Sequence, residues 1–305
     1  MPDDHRVLRG ARLSTDAGAW PPPARRLLGL TRVVEGVGLH SGRAARAWIE
    51  PATRVEQGVL VRRVDCRPPR TLPGTLEQAT PAPAHTCLGS AAAGVATVEH
   101  LLSALCGLGI WDARVCVAGP ELPILDGSSV PWVAALREVC APEPVPHHGP
   151  TWRVTRPWRD EIEGAVLRLT PAAVGRVCCV YTHAHPAIGA QCAAWSVGDS
   201  AGYLSAIAPA RTFGFAADAE AMQRRGLARA AGLHCVLAFD DQGVLNPEGL
   251  RFPDEPVRHK LLDAIGDLGL LGGPTRGTVE LTGSSHRHLL QSLRRAVAAG
   301  VLQPE

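Results

Sequence analysis

Two stretches of this chain, far apart in the sequence, carry one helical pattern, and this repeat constrains the fold more than any other feature. In TVEHLLSALCGLG, Thr97 to Gly109, apolar residues stand at 98, 101, 102, 105 and 108; in DEPVRHKLLDAIGDLGLL, Asp254 to Leu271, they stand at 257, 261, 262, 265 and 268. Superposed without a gap, Val98 falls on Val257, His100 on His259, Leu102 on Leu261 and Gly107 on Gly266. Thr97 reads as the N-cap of the first helix, while acidic residues and Pro256 open the second. Each is followed by a strand (Ile110 to Ala118; Gly277 to Thr282), a serine-bearing turn (DGSS; GSS) and another helix. Four identities are within reach of chance, yet the shared order predicts a duplicated strand-helix-strand-helix unit, hence two α+β halves facing each other.

The remaining pattern fits this division. From Leu27, alternating residues around the glycine-rich GVGLHSG predict a hairpin, and strands are predicted at Gly58 to Val64, Trp152 to Thr170 and Arg176 to His183. Pro131 opens a helix to about Cys140, and the proline-rich APEPVPHHGP after it reads as a connector. The expected organisation is a flexible leader over 1–26, a first domain over 27–143, a linker over 144–150 and a second domain over 151–305. At 305 residues with 46% hydrophobic and 20% charged, the chain buries a substantial core, and a net charge of +2 excludes the basic stripe of a nucleic-acid binder. Nine cysteines without any C-x-x-C spacing point to a reducing, cytoplasmic location. No apolar run reaches the ~18 to 20 residues of a membrane span.

On the second helix, His259 and Asp263 stand four apart on one face, with Asp267 extending the row. Two such ligands leave a catalytic zinc short of its usual third, and His100, the counterpart of His259, is the candidate. Glu99 beside it suits a general base acting on water. H-x-x-x-D on a helix is also a common surface pair, so spacing alone leaves metal binding open. His286 and His288 open the last helix, where the dipole discourages a charged imidazole and a solvent-exposed or capping role is the plain reading; an acid role for His286 needs a nearby carboxylate, and Asp267 is the one named for it. In Arg211-Thr-Phe-Gly-Phe, Thr212 offers a hydroxyl to an oxyanion or is a plain turn residue. Of the 31 basic residues only Lys260 is a lysine, which raises a role for a compact charge there.

Six segments in order, GVGLHSG (36–42), TVEHLLSALCGLGI (97–110), PELPILDGSSVPW (120–132), HPAIGAQ (185–191), ARTFGF (210–215) and VLNPEGLRFPDEPVRHKLLDAIGDL (244–268), resemble the UDP-3-O-acyl-N-acetylglucosamine deacetylases, zinc amidases of lipid A synthesis for the Gram-negative outer membrane. The resemblance implies two topologically similar two-layer α+β sandwiches with the active site between them, each with an insert. The second insert forms an apolar acyl-chain passage, expected at about 177–210 with Val177, Val180, Ile188 and Ala194. It also implies an acylated UDP-N-acetylglucosamine substrate, acetate release, and a monomer holding zinc or ferrous iron on His100, His259 and Asp263. By the same resemblance Glu99 is the base, His286 the proton donor with Asp267 as partner, Thr212 the oxyanion donor and Lys260 a substrate contact. The chain carries no lysine or arginine over 164–166, where some members place a basic residue, and only four phenylalanines. Two other readings share the ligand set: a non-haem iron oxygenase with a facial triad, and a sugar-nucleotide or acyl-chain binding protein without turnover.

Overall fold

The computed structural model describes residues 20–53, 58–90 and 93–305. Most of the expected leader, 1–19, lies outside them. Residues 20–26 run beside the connector, where Ala24 bridges Val145, just as Leu27 next to them bridges Cys140.

The first half forms a five-stranded sheet. Its strands are β1 (Val34–Val37), β2 (Ala44–Pro51), β3 (Val59–Arg63), β4 (Arg70–Pro73) and, later, β8 (Ala113–Ala118), in the order β1-β2-β8-β3-β4. Between β4 and β8 come a small sheet of β5 (Ala79–Ala82), β6 (His85–Leu88) and β7 (Val95–Ala96), then helix α1 (Glu99–Leu108); α2 (Val130–Arg137) follows β8. All pairs in the main sheet are antiparallel except β3 with β8.

The second half repeats this plan. After β9 (Trp152–Val154) come β10 (Trp158–Ile162), β11 (Ala165–Thr170), β12 (Gly175–His183), β13 (Gly189–Ser196) and, later, β17 (Thr275–Thr282), ordered β10-β11-β17-β12-β13 with only β12 and β17 parallel in that path. The interruption holds β14 (Phe213–Phe215), α3 (Ala216–Arg224), β15 (Leu237–Asp240) and β16 (Gly243–Val244), then α4 (Glu255–Gly269); α5 (His286–Ala298) follows β17 and β18 (Leu302–Pro304) closes on β9. Both halves therefore run four strands, an insert, a helix, the central strand and a helix, the α+β duplication that the repeated pattern predicts.

Three details depart from the sequence reading. Thr97 does not cap α1: its backbone takes φ 57° and its hydroxyl donates to Glu121 Oε1 at 2.8 Å, so Val98 is the N-cap. All ten residues of α1 are buried, because α4 covers the side that an amphipathic helix would show to water. The insert of the second half is not at 177–210. Val177, Val180 and Ala194 belong to β12 and β13, whose ladders with each other and with β17 make them part of the main sheet, and the insert is the separate three-stranded sheet at 213–244.

One continuous core joins the halves, including Ile49, Val115 and Val117 from the first sheet, Val177, Val279 and Leu281 from the second, and Leu101, Leu105, Leu261 and Ile265 from α1 and α4. A chain that buries helices from both halves in a shared core fixes whatever polar groups those helices carry there.

Candidate metal centre and active site

α1 contributes Glu99 and His100 from its first turn, and α4 contributes His259, Asp263 and Asp267 one turn apart on a single face. The close packing of these helices places one ligand atom each of His100, His259 and Asp263 within 4.8 Å of one another. His259 Nε2 and His100 Nε2 stand 3.4 and 3.6 Å from Asp263 Oδ1, and the two imidazoles meet edge to face at 5.0 Å between centroids.

These groups suit a cation. His259 Nδ1 lies 3.1 Å from the Ala210 carbonyl, which can only accept, so Nδ1 carries the hydrogen and Nε2 presents a lone pair to the cluster. Burial pushes both His100 and His259 down to about 3, which keeps them neutral, as ligands must be. Asp263 Oδ1 is buried and has no hydrogen-bond partner among the described residues. Lone pairs converging on an unsatisfied carboxylate oxygen lack a positive centre, and an ion bound there supplies one.

Glu99 is almost wholly buried, and its Oε2 accepts from the Thr86 backbone N–H at 3.1 Å. Burial pushes its carboxyl up to about 8; His286 pulls the other way, while Asp263 and Asp267 add to the rise. His286, the first residue of α5, is also buried, with Nδ1 2.8 Å from Asp267 Oδ2 and Nε2 3.8 Å from Asp263 Oδ2. Burial alone would lower this imidazole, but the charge and hydrogen bond of Asp267, with Glu99 and Asp263, raise it to about 10. The carboxylates thus outweigh the helix dipole, which at ~0.3 to 1 kcal/mol is the weaker field. The second imidazole of that turn, His288, stays outside: its Nδ1 lies 3.0 Å from the Ser285 hydroxyl.

Lys260, Tyr181 and Ser285 share a narrow pocket with Asp263, Asp267 and His286. The Lys260 ammonium has no carboxylate partner among the described residues and stands 5.7 and 6.0 Å from the ring centres of Phe213 and Tyr181. Thr212, whose N–H donates to the Gly127 carbonyl at 2.7 Å, is among the residues lining a mostly apolar chamber of about 300 Å³. The chamber is walled by the insert, with Phe213, Phe215, Met222, Leu233 and Val236 among its lining. Three of the four phenylalanines, Phe213, Phe215 and Phe239, pack together in this insert, and Phe213 reaches within 6.4 Å of the His259 ring.

Sequence reasoning missed several contributors. Thr86 donates from Oγ1 to Asp267 Oδ1 at 2.7 Å while its backbone serves Glu99, so one strand residue holds both carboxylates. His40 and His85 stack at 4.3 Å, and Glu121 fixes the GVGLHSG turn by accepting the N–H groups of His40 and Ser41 at 2.9 and 2.8 Å. A Cβ on Gly38 would fall 2.2 Å from Glu121 Oε2, so the glycine that marks a hairpin also admits the carboxylate. Only that glycine gave a signal, since the other contacts cross from one half or insert to another.

Comparison with known proteins points to one family. The profile of the family described as LpxC, UDP-3-O-acyl N-acetylglycosamine deacetylase, matches residues 26–298. Curated relatives named UDP-3-O-acyl-N-acetylglucosamine deacetylase include one from Myxococcus xanthus, 39% identical over 274 residues and covering 87% of this chain and 84% of its own. One from Anaeromyxobacter dehalogenans is 40% identical over 264 residues, with 87% and 84% covered. A cyanobacterial one, from Synechocystis, is 40% identical over 240 residues, with 78% and 86% covered.

Proposed function

The chain belongs to the UDP-3-O-acyl N-acetylglycosamine deacetylase family, and on that premise we propose that it removes the N-acetyl group of UDP-3-O-acyl-N-acetylglucosamine as a metal-dependent deacetylase of lipid A biosynthesis. The observation that carries the reading is the orphaned Asp263 Oδ1 facing two neutral imidazoles, with Glu99 on one flank and a cationic His286 on the other. Membership in this family sets aside the oxygenase and the binding protein without turnover.

His100, His259 and Asp263 are the residues that would hold the ion. A divalent cation there supplies Lewis acidity, polarising a carbonyl and lowering the pKa of water, and zinc and ferrous iron both suit two imidazoles and a carboxylate. Glu99 takes a proton from the attacking water as its oxygen bonds to the acetamide carbon. The Thr212 hydroxyl donates to the oxyanion that develops. His286, held by Asp267, gives its proton to the amide nitrogen as the C–N bond breaks, so one water is consumed and acetate and a glucosamine amine are released; Glu99 then loses its proton to solvent and His286 regains one from it.

The unpaired ammonium of Lys260 suits a phosphate or a polarised oxygen of the substrate. The apolar chamber beyond Thr212 suits the 3-O-acyl chain, at ~0.8 kcal/mol for each methylene buried. Among the described residues no helix is long and apolar enough to cross a membrane, and all nine cysteines are free, which supports our reading of a cytoplasmic enzyme; we take it to act as a monomer.

The test is mass spectrometry of acylated UDP-N-acetylglucosamine incubated with the purified protein. Loss of one acetyl unit, abolished by a chelator and restored by Zn²⁺, is expected. A substrate mass that never changes overturns the reading.

A further inference from the structure

Arg211 and Glu255 form an ion pair whose side chains are almost entirely buried, at 3% and 0% exposure. Such a pair persists only where nearly every donor and acceptor is satisfied. Here the Glu255 carboxylate accepts from Arg211 Nε at 2.9 Å, Arg211 Nη2 at 3.2 Å, the Arg211 backbone N–H at 3.0 Å and the Arg251 N–H at 2.6 Å. The guanidinium spends its other hydrogens on Glu248 and on the Gly249 carbonyl.

The backbone on either side of Arg211 is the loop that serves the metal cluster. The Ala210 carbonyl accepts from His259 Nδ1, and Thr212 follows directly. Other contacts tie the same loop down, with the Ala208 carbonyl on the Ser129 N–H, the Pro209 carbonyl on Arg251 Nη1, and the Thr212 backbone on the Gly127 carbonyl and the Leu237 N–H, but none of these reaches α4. Glu255 does, as the first residue of α4, one turn ahead of His259.

We propose that Arg211 and Glu255 are positioning residues that lock this loop to the start of α4, so that one buried ion pair sets both the orientation of the His259 ring toward the metal and the place of the Thr212 hydroxyl. The proposal rests on the reading of His100, His259 and Asp263 as a metal centre. A guanidinium is required because only its planar fork meets both carboxylate oxygens while its remaining N–H groups reach Glu248 and Gly249. An orienting partner of a metal-bound imidazole typically changes metal affinity by ~10- to 100-fold when lost.

The experiment is Zn²⁺ affinity by competition with a chromophoric chelator, on the full chain and on Arg211→Lys, Glu255→Gln and Thr212→Ala. The two clamp variants are expected to bind Zn²⁺ about 10- to 100-fold more weakly and to lower kcat with KM little changed. Thr212→Ala is expected to lower kcat alone. Parental Zn²⁺ affinity in folded Arg211→Lys and Glu255→Gln overturns the proposal, whereas a parent that binds no Zn²⁺ overturns the metal-centre reading instead.

A second measurement needs no variant. If the clamp and the metal are linked, Zn²⁺ must slow hydrogen exchange at the Arg211 and Arg251 amides, both of which donate to Glu255. Exchange there that ignores Zn²⁺ overturns the proposal even where every substitution fails to fold.

Discussion

Gly266 lies so close to Glu99 that a Cβ built on it would stand 2.1 Å from the Glu99 carbonyl oxygen. The backbone of α4 thus rests on the first turn of α1, and Gly269 continues the contact, its Cβ position 2.6 Å from Cys106 Sγ. This approach is what lets a histidine from one half and a histidine and aspartate from the other share one point. Gly266→Ala must push the helices apart. We expect a loss of ~1 to 3 kcal/mol in stability and a larger fractional loss of bound Zn²⁺, read by thermal unfolding and by metal analysis of the purified variant.

Removing the proposed base and removing a proposed ligand should separate cleanly. Glu99→Ala is expected to cost ~10² to 10⁴ in kcat while the protein keeps its metal. His259→Ala should lose the metal itself. Normal turnover in the first variant, or an unchanged metal-to-protein ratio in the second, contradicts the roles given to them.

The pH profile of kcat/KM should be bell-shaped, because the roles proposed for them need Glu99 ionised and His286 protonated. Activity rises as pH climbs through the value of Glu99, held up at about 8 chiefly by burial, and falls as it passes that of His286, held at about 10 by Asp267 against burial. A bound dication favours the ionised carboxylate and shifts the rising limb to lower pH. His286→Gln removes the falling limb, and a variant that keeps it assigns the acid elsewhere.

The His40–His85 stack predicts a second pH effect, on stability. Burial, then the neighbouring His40, push His85 down to about 4 from an ordinary 6.5. A depressed value means that the neutral ring is the one the fold accepts, so stability is complete above 6.5 and is lost as pH falls through 4. The loss attributable to His85 is at most ~3 kcal/mol, and His85→Gln should flatten it in acid unfolding followed by circular dichroism.

Gly214 is among the residues lining the chamber, and a Cβ on it meets nothing within 4 Å. Gly214→Leu should therefore fill acyl space without strain in the fold. KM should rise for long-chain substrates and stay level for short ones, by roughly fivefold for each methylene excluded at ~0.8 to 1 kcal/mol. Equal KM changes for all chain lengths would place the acyl group outside this chamber.

Much of this protein follows from residue order alone. The recurrence of one apolar spacing around His100 and His259 implies two like halves, and the same four-residue interval puts His259 and Asp263 on one helix face whatever surrounds them, since helical geometry is local. The resemblance of six ordered segments named the chemistry. What only the tertiary structure decided are the relations between segments that no local period encodes. Thr86 became the residue that holds Glu99 and Asp267 because β6 meets the start of α1, where the Val98 N–H donates to the Thr86 carbonyl. Arg211 became a clamp because its guanidinium meets Glu255 in a region closed to water. The insert of the second half, expected at 177–210, lies at 213–244 because β12 and β13 found their partners in the main sheet. Apolar alternation specifies that a strand has a buried face, but its neighbour is chosen by competition among all strands for the same edge, and that choice is made only when the whole chain packs.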